Sequence, residues 1–158
     1  MVAAMGSILG TRVRRLEDPR LLTAGGTYVE DLDLPDAAWL TYVRSPHAHA
    51  TIAAIDTSAA MAAPGVLAIF TADDLAELGL VPHTNPAYPA AMRRPFVAIG
   101  TVRYVGQPVV AIVAEDRSLG SDAADLVIVD YDPLPCVVDA EAAVDGTVLL
   151  FPEHGSNV

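Results

Sequence analysis

At 158 residues the chain is about one domain long, and a composition of 53% hydrophobic and 18% charged residues excludes the low-hydrophobicity profile of a disordered chain. A formal charge of −11, with nine basic residues that are all arginine, argues against non-specific phosphate binding, which needs clustered cations. Mean hydropathy is +0.40, yet apolar runs such as Pro108 to Ala114 fall far short of the roughly 20 residues that span a bilayer.

Met1 to Gly10 is apolar but lacks a basic start, and Arg12, Arg14 and Arg15 come after it, so it does not read as an export signal. The expected location is the cytoplasm. One cysteine, Cys136, forbids an internal disulfide framework. Its strand-like surroundings predict a buried, inert thiol.

Taken in chain order, Thr11 to Pro35 is rich in charge, Gly and turn residues and reads as an arm of loops, with Tyr28-Val29 as a short strand and Gly25-Gly26 as a turn. Trp39 to Arg44, "WLTYVR", is β-branched and aromatic and predicts a half-buried strand that Ser45-Pro46 closes. Asp56 or Ser58 caps an alanine-rich helix of about two turns that stops at Pro64-Gly65. A strand over Val66 to Phe70 follows, then a short helix over "ADDLAEL" with an acidic first turn.

Gly79 to Pro95 holds four prolines and two arginines and reads as a long surface loop. Val102 to Tyr104 predicts a strand, Gly106-Gln107 a turn, and Pro108 to Ala114 a strand buried on both faces. Ser118 to Asp125 predicts a helix, although Gly120 inside it costs on the order of 1 kcal/mol relative to Ala. Leu126 to Tyr131 predicts a strand, and Val137-Val138 with Ala140 to Val144 a last strand and a turn of helix. The sum is an α+β fold without internal repeats.

Few residues invite chemistry. His47 and His49 alternate, so on a strand they would share a face and could share a metal, with His83 as a third ligand from afar. Pro46 places them in a turn, which favours satisfied or solvated histidines. Asp73-Asp74 point apart on a helix and suit capping rather than paired acid/base work. Arg14-Arg15 and Arg93-Arg94 read as solvated charge. There is no Gly-rich phosphate loop, and no G-x-S-x-G elbow for a nucleophilic serine. The residues predict a scaffold with no catalytic, cofactor-binding or metal-binding positions of its own.

Four blocks, "RRLEDPRLLTAGGTYVEDLDLP", "VRSPHAHATIAAIDTSAAMAAPGVLAIFTADDL", "VRYVGQPVVAIVAEDR" and "DYDPLPCVVDAEAAV", resemble in order the N-terminal part of the molybdenum-bearing large subunit of the xanthine oxidase family. The resemblance is strongest to the carbon monoxide dehydrogenase type. It implies an α/β-hammerhead fold, with residues 1–35 as an N-terminal arm, 36–150 as the hammerhead and 151–158 as the start of a linker to molybdenum-binding domains that this sequence lacks. "VRYVGQPVVAIVAED" is similar to the family's central strand region, and Gly120 stands where the family more often has Ala.

By the same resemblance the complete assembly is an oxidoreductase of the aldehyde oxidase, xanthine dehydrogenase or carbon monoxide dehydrogenase type. Molybdopterin-molybdenum sits in the rest of the large subunit, and iron–sulfur clusters and FAD in partner subunits of an oligomeric assembly. The sequence then reads as a truncated piece or one part of a split subunit, structural rather than catalytic. The alternative is a self-standing hammerhead that serves as an interaction or binding module.

Overall fold

The computed structural model describes residues 15–26, 28, 29, 32, 34–82, 85 and 89–158. The chain divides into two units, Met1–Asp36 and Ala37–Val158.

In the first unit the sequence pattern predicts loops with a short strand at Tyr28-Val29 and no helix, but α1 (Asp18–Ala24) is present. Pro19 in its first turn has the φ a helix needs, Asp18 complements the dipole, and Gly25 ends it at φ 74. No residue of α1 is buried, and Leu16 and Leu22 are 95% and 86% exposed. Tyr28 and Val29 form no strand. Val29 carbonyl instead accepts from Leu32 N at 3.2 Å, closing a tight turn.

The second unit has β1 (Trp39–Arg44), β2 (Ala50–Asp56), α2 (Ser58–Met61), β3 (Val66–Phe70), β4 (Thr101–Val102), β5 (Pro108–Ala114), α3 (Arg117–Asp125), β6 (Ile128–Pro133) and α4 (Ala140–Val144). Two three-stranded antiparallel sheets, β1-β5-β3 and β4-β2-β6, share the core. β5 is central and its residues Val109 to Ile112 are all buried, as a two-faced apolar run requires. Val110 and Ile112 join Ile69, Ala50, Val102, Ala60 and Ala123 in one cluster, with Ile52, Val129 and Tyr131 packed against it. Each fully buried aliphatic side chain contributes about 1.5–3 kcal/mol.

The α+β class expected from the sequence is the class present, as two small antiparallel sheets with short helices. β1, β3 and β5 have the predicted bounds. α2 is shorter than predicted, one turn over Ser58–Met61, and Asp56 Oδ1 accepts from Ser58 N at 2.9 Å. The helix predicted over residues 72–78 is reduced to a single 3-10 turn, Ala76–Leu78. Asp74 there accepts from Thr71 N and Thr71 Oγ1 at 2.7 and 2.8 Å. Gly79, at φ 69, breaks the chain direction directly afterwards.

Two strands shift. β4 covers only Thr101–Val102, because Arg103 to Gln107 is consumed by a turn. β6 starts at Ile128 because Leu126 and Val127 close α3, donating to Ala123 and Ala124 carbonyls at 3.1 and 3.3 Å. Val137-Val138 forms no strand. Cys136 is exposed, not buried, since the chain after Pro133 leaves the sheet. Of the 79–95 loop the described part holds a Leu80–Pro95 bridge and a 3-10 turn at Ala90–Met92.

Gly120 is where α3 crosses β1. A Cβ at Gly120 would lie 2.6 Å from Thr41 Oγ1, 3.3 Å from Thr41 Cβ and 3.5 Å from Ala114 Cβ. The helix is regular through this position, so the glycine serves close approach rather than irregularity.

Candidate functional site

The stretch that leads into β5 builds the most developed surface feature of the second unit. Val102 is fully buried, so its neighbours Thr101 and Arg103, one residue either side on an extended backbone, point the other way. After Arg103 the chain turns at Gly106, whose φ of 86 is open only to glycine at low strain. Gln107 is buried and its Oε1 accepts from Arg103 N at 2.7 Å. Gly106 N donates to Ser45 carbonyl at 2.8 Å and Ser45 N to Gln107 carbonyl at 2.9 Å. This turn is thereby locked to the end of β1.

The opposite wall is the chain after α4. Asn157 Oδ1 accepts from Leu150 N at 2.9 Å, and its Nδ2 donates to the Ala143 and Val148 carbonyls at 3.0 and 2.7 Å. Arg103 reaches across, with Nε donating to Leu150 carbonyl at 2.7 Å and the guanidinium 4.7 Å from the Phe151 ring centroid. Between the walls lies a cleft of about 500 Å³, lined by His49, Thr101, Arg103, Leu134, Pro135, Thr147, Val148, Leu149, Leu150 and Pro152. That volume is in the range of ordinary ligand clefts.

The histidines singled out in sequence have separate partners. His49 Nδ1 lies 2.6 Å from Pro135 carbonyl; since a carbonyl only accepts, Nδ1 donates, which in the neutral imidazole leaves Nε2 as the acceptor. His47 packs its ring 4.9 Å from that of Tyr131, and its backbone N donates to Ser45 Oγ at 3.0 Å. Burial pushes the Tyr131 phenol above its usual value of 10, opposed by a hydrogen bond with Ser45. His83 lies outside the described residues, and among those described no three His, Cys, Asp or Glu side chains converge to hold a metal ion.

Asp73 and Asp74 are not paired: Asp74 is turned to Thr71. Arg15, Arg93 and Arg94 are exposed, while Arg14 lies outside the described residues. Sequence reasoning missed Arg103 and Asn157. The Thr-Val-Arg alternation carried a signal for the first; the Asn157 contacts, across 7 to 14 residues, had no local signature.

The family model described as aldehyde oxidase and xanthine dehydrogenase, α/β hammerhead domain, matches residues 23–135. The chain belongs to this family. The hammerhead is 41% identical over 154 residues to the 6-hydroxypseudooxynicotine dehydrogenase complex subunit gamma of Paenarthrobacter nicotinovorans, covering 94% of this chain and 19% of that one. It is 41% identical over 145 residues to the carbon monoxide dehydrogenase large chain of Afipia carboxidovorans, covering 92% and 18%. Among solved structures, a Cu,Mo-CO dehydrogenase superimposes with a TM-score of 0.76 at 39% identity, covering 92% of this chain and 18% of that one. Quinoline 2-oxidoreductase from Pseudomonas putida gives a TM-score of 0.76 at 40% identity, covering 88% and 18%. The chain thus spans under a fifth of the length of these relatives. No helix among the described residues is long and apolar enough to cross a membrane.

Proposed function

We propose that this hammerhead is the N-terminal structural segment of the large subunit of a cytoplasmic molybdenum hydroxylase, an oxidoreductase whose activity resides in the complete assembly. Residues 1–35 serve as its arm, 36–150 as the packing domain and 151–158 as the lead into molybdenum-bearing domains. Iron–sulfur and FAD subunits take the electrons away. The observation that carries this reading is the family match over residues 23–135, together with relatives named as large chains of which this sequence spans under a fifth.

The residues present do not fit a molybdenum cofactor. Among those described, no metal-ligating cluster converges and no buried side-chain nitrogen or oxygen is left without a partner for a pterin to satisfy. We infer that the catalytic step lies outside this chain. What it offers is surface: Leu16 and Leu22 of the first unit, and Leu67, Leu78, Val105 and Ile128 of the second, are more than half exposed and suit burial against other domains.

The test is to tag the chain in its native host, purify it gently and measure molybdenum per chain by elemental mass spectrometry. Near-stoichiometric molybdenum supports the reading. A soluble, folded chain that arrives without molybdenum and without a larger partner refutes it, in favour of a stand-alone interaction module.

A further inference from the structure

We propose that the cleft between β4 and the segment after α4 is a carboxylate socket that takes an acidic side chain, flanked by apolar residues, from an adjoining polypeptide. The proposal rests on the reading above, in which this domain is packed against others, and names the chemistry of one contact.

Three observations converge. Arg103 is held from behind: its Nε donates to Leu150 carbonyl and its guanidinium carbon lies over the Phe151 ring, 4.7 Å from the centroid. Its Nη groups have no partner among the described residues. A guanidinium fixed in this way has little rotamer freedom left to lose, and its remaining donors form the fork that matches a carboxylate. Thr101, on the same side of the strand, brings a hydroxyl that is likewise unengaged among the described residues. His49 adds Nε2 as an acceptor, suited to a backbone N–H, because Nδ1 is committed to Pro135.

The immediate lining contains no acidic residue. Asp132 shares the outward sheet face of Thr101 across Thr51, and Glu153 follows Pro152, so preference for a carboxylate rests on the Arg103 fork itself. Leu134, Pro135, Leu149 and Pro152 supply apolar walls beside the fork, which a free inorganic anion would leave wet. A peptide with a glutamate between leucines covers both.

The test uses the isotope-labelled 158-residue chain and the capped peptide N-acetyl-Leu-Glu-Leu-amide, read by chemical-shift titration at the Arg103 side-chain Nε–H and the Thr101 amide. The expected result is a saturable shift at both, about tenfold weaker for the Leu-Gln-Leu peptide, as loss of a charge-assisted pair implies. Arg103→Lys weakens binding because the fork is gone. Thr101→Val keeps the volume and leaves the Phe151 ring signals in place, so it weakens binding without disturbing the wall. Equal binding of the Glu and Gln peptides, absence of a saturable shift, or indifference to both substitutions overturns the proposal. Tighter binding of benzoate than of the glutamate peptide overturns the polypeptide occupant in favour of a free carboxylate. No molybdenum enters this measurement, so its failure and failure of the molybdenum-to-chain ratio are separate results.

Discussion

Replacing Gly120 with alanine adds one methyl group where α3 crosses β1, 2.6 Å from Thr41 Oγ1 and 3.3 Å from Thr41 Cβ. Rotating Thr41 about χ1 moves its hydroxyl but brings another substituent round, and Cβ cannot move without the strand. Thr41 pairs with Ile112 of the central strand, so α3 must lift instead. Helix propensity favours alanine by about 1 kcal/mol, while overpacking at a contact this close costs about 2–3 kcal/mol. The net expectation is destabilisation by about 1–2 kcal/mol, a fall in Tm of roughly 3–6 °C for a chain of this size. Urea unfolding followed by fluorescence of Trp39, the single tryptophan and two residues from Thr41 on β1, measures it directly. Thr41→Ala in the Gly120→Ala background should recover about 1 kcal/mol more than additivity predicts, since the two positions touch. A Gly120→Ala protein about 1 kcal/mol more stable than wild type would mean that propensity alone governs the position and that the close approach is not there.

Gly65→Ala should cost about 1–2 kcal/mol in the same assay, because φ is 71 and alanine pays left-handed strain there, while the Leu119 methyl it meets is the tip of a flexible side chain and swings aside. Asp116 caps α3, and bonds from the Ser118 hydroxyl and then from Ser118 N hold its carboxyl below the ordinary 3.8. A depressed folded pKa gives stability that is present above the unfolded value and lost as pH falls through the folded one. The urea midpoint of the wild type should therefore drop as pH falls below about 3.8, and that of Asp116→Asn should drop less; parallel curves would refute the cap's charge as the cause. Asn157→Ala removes three hydrogen bonds and should lower stability by about 1–3 kcal/mol, with faster amide exchange at Leu150; unchanged protection there would show that the latch does not hold the wall.

Legibility followed the range of the interactions. β1, β3 and β5 could be read to the residue because each carries its cause locally: β-branched runs ended by proline, glycine or charge, with the two-faced burial of β5 announced by the unbroken apolar run Pro108 to Ala114. The helix over residues 72–78 misled because its acidic start suits a helix N-terminus, yet Asp74 turns back to cap Thr71 and Gly79 follows too soon for a second turn. α1 was missed although Pro19 and Gly25 mark its ends, since a surface helix with no buried residue shows no apolar period. In the cleft, Arg103 was missed although the alternation Thr101-Val102-Arg103 sets it outward beside an inward valine. That Arg103 would be braced by Leu150 and Phe151, and Leu150 by Asn157, depends on a chain reversal that no local pattern encodes.

The strand order also sets when this fold can come into being. β1 waits for β5 about 70 residues further along the chain, and β2 for β6 about 78 residues further, so contact order is high and folding is expected on the slower, millisecond-to-second side. On a ribosome adding about 5–20 residues per second, β1, β2 and β3 are all made before the strand that joins β1 to β3 exists. Until Pro108 to Ala114 has emerged, "VLAIF" of β3 is an uncharged apolar segment with no partner, and the nascent chain depends on chaperones or speed to keep it from pairing elsewhere.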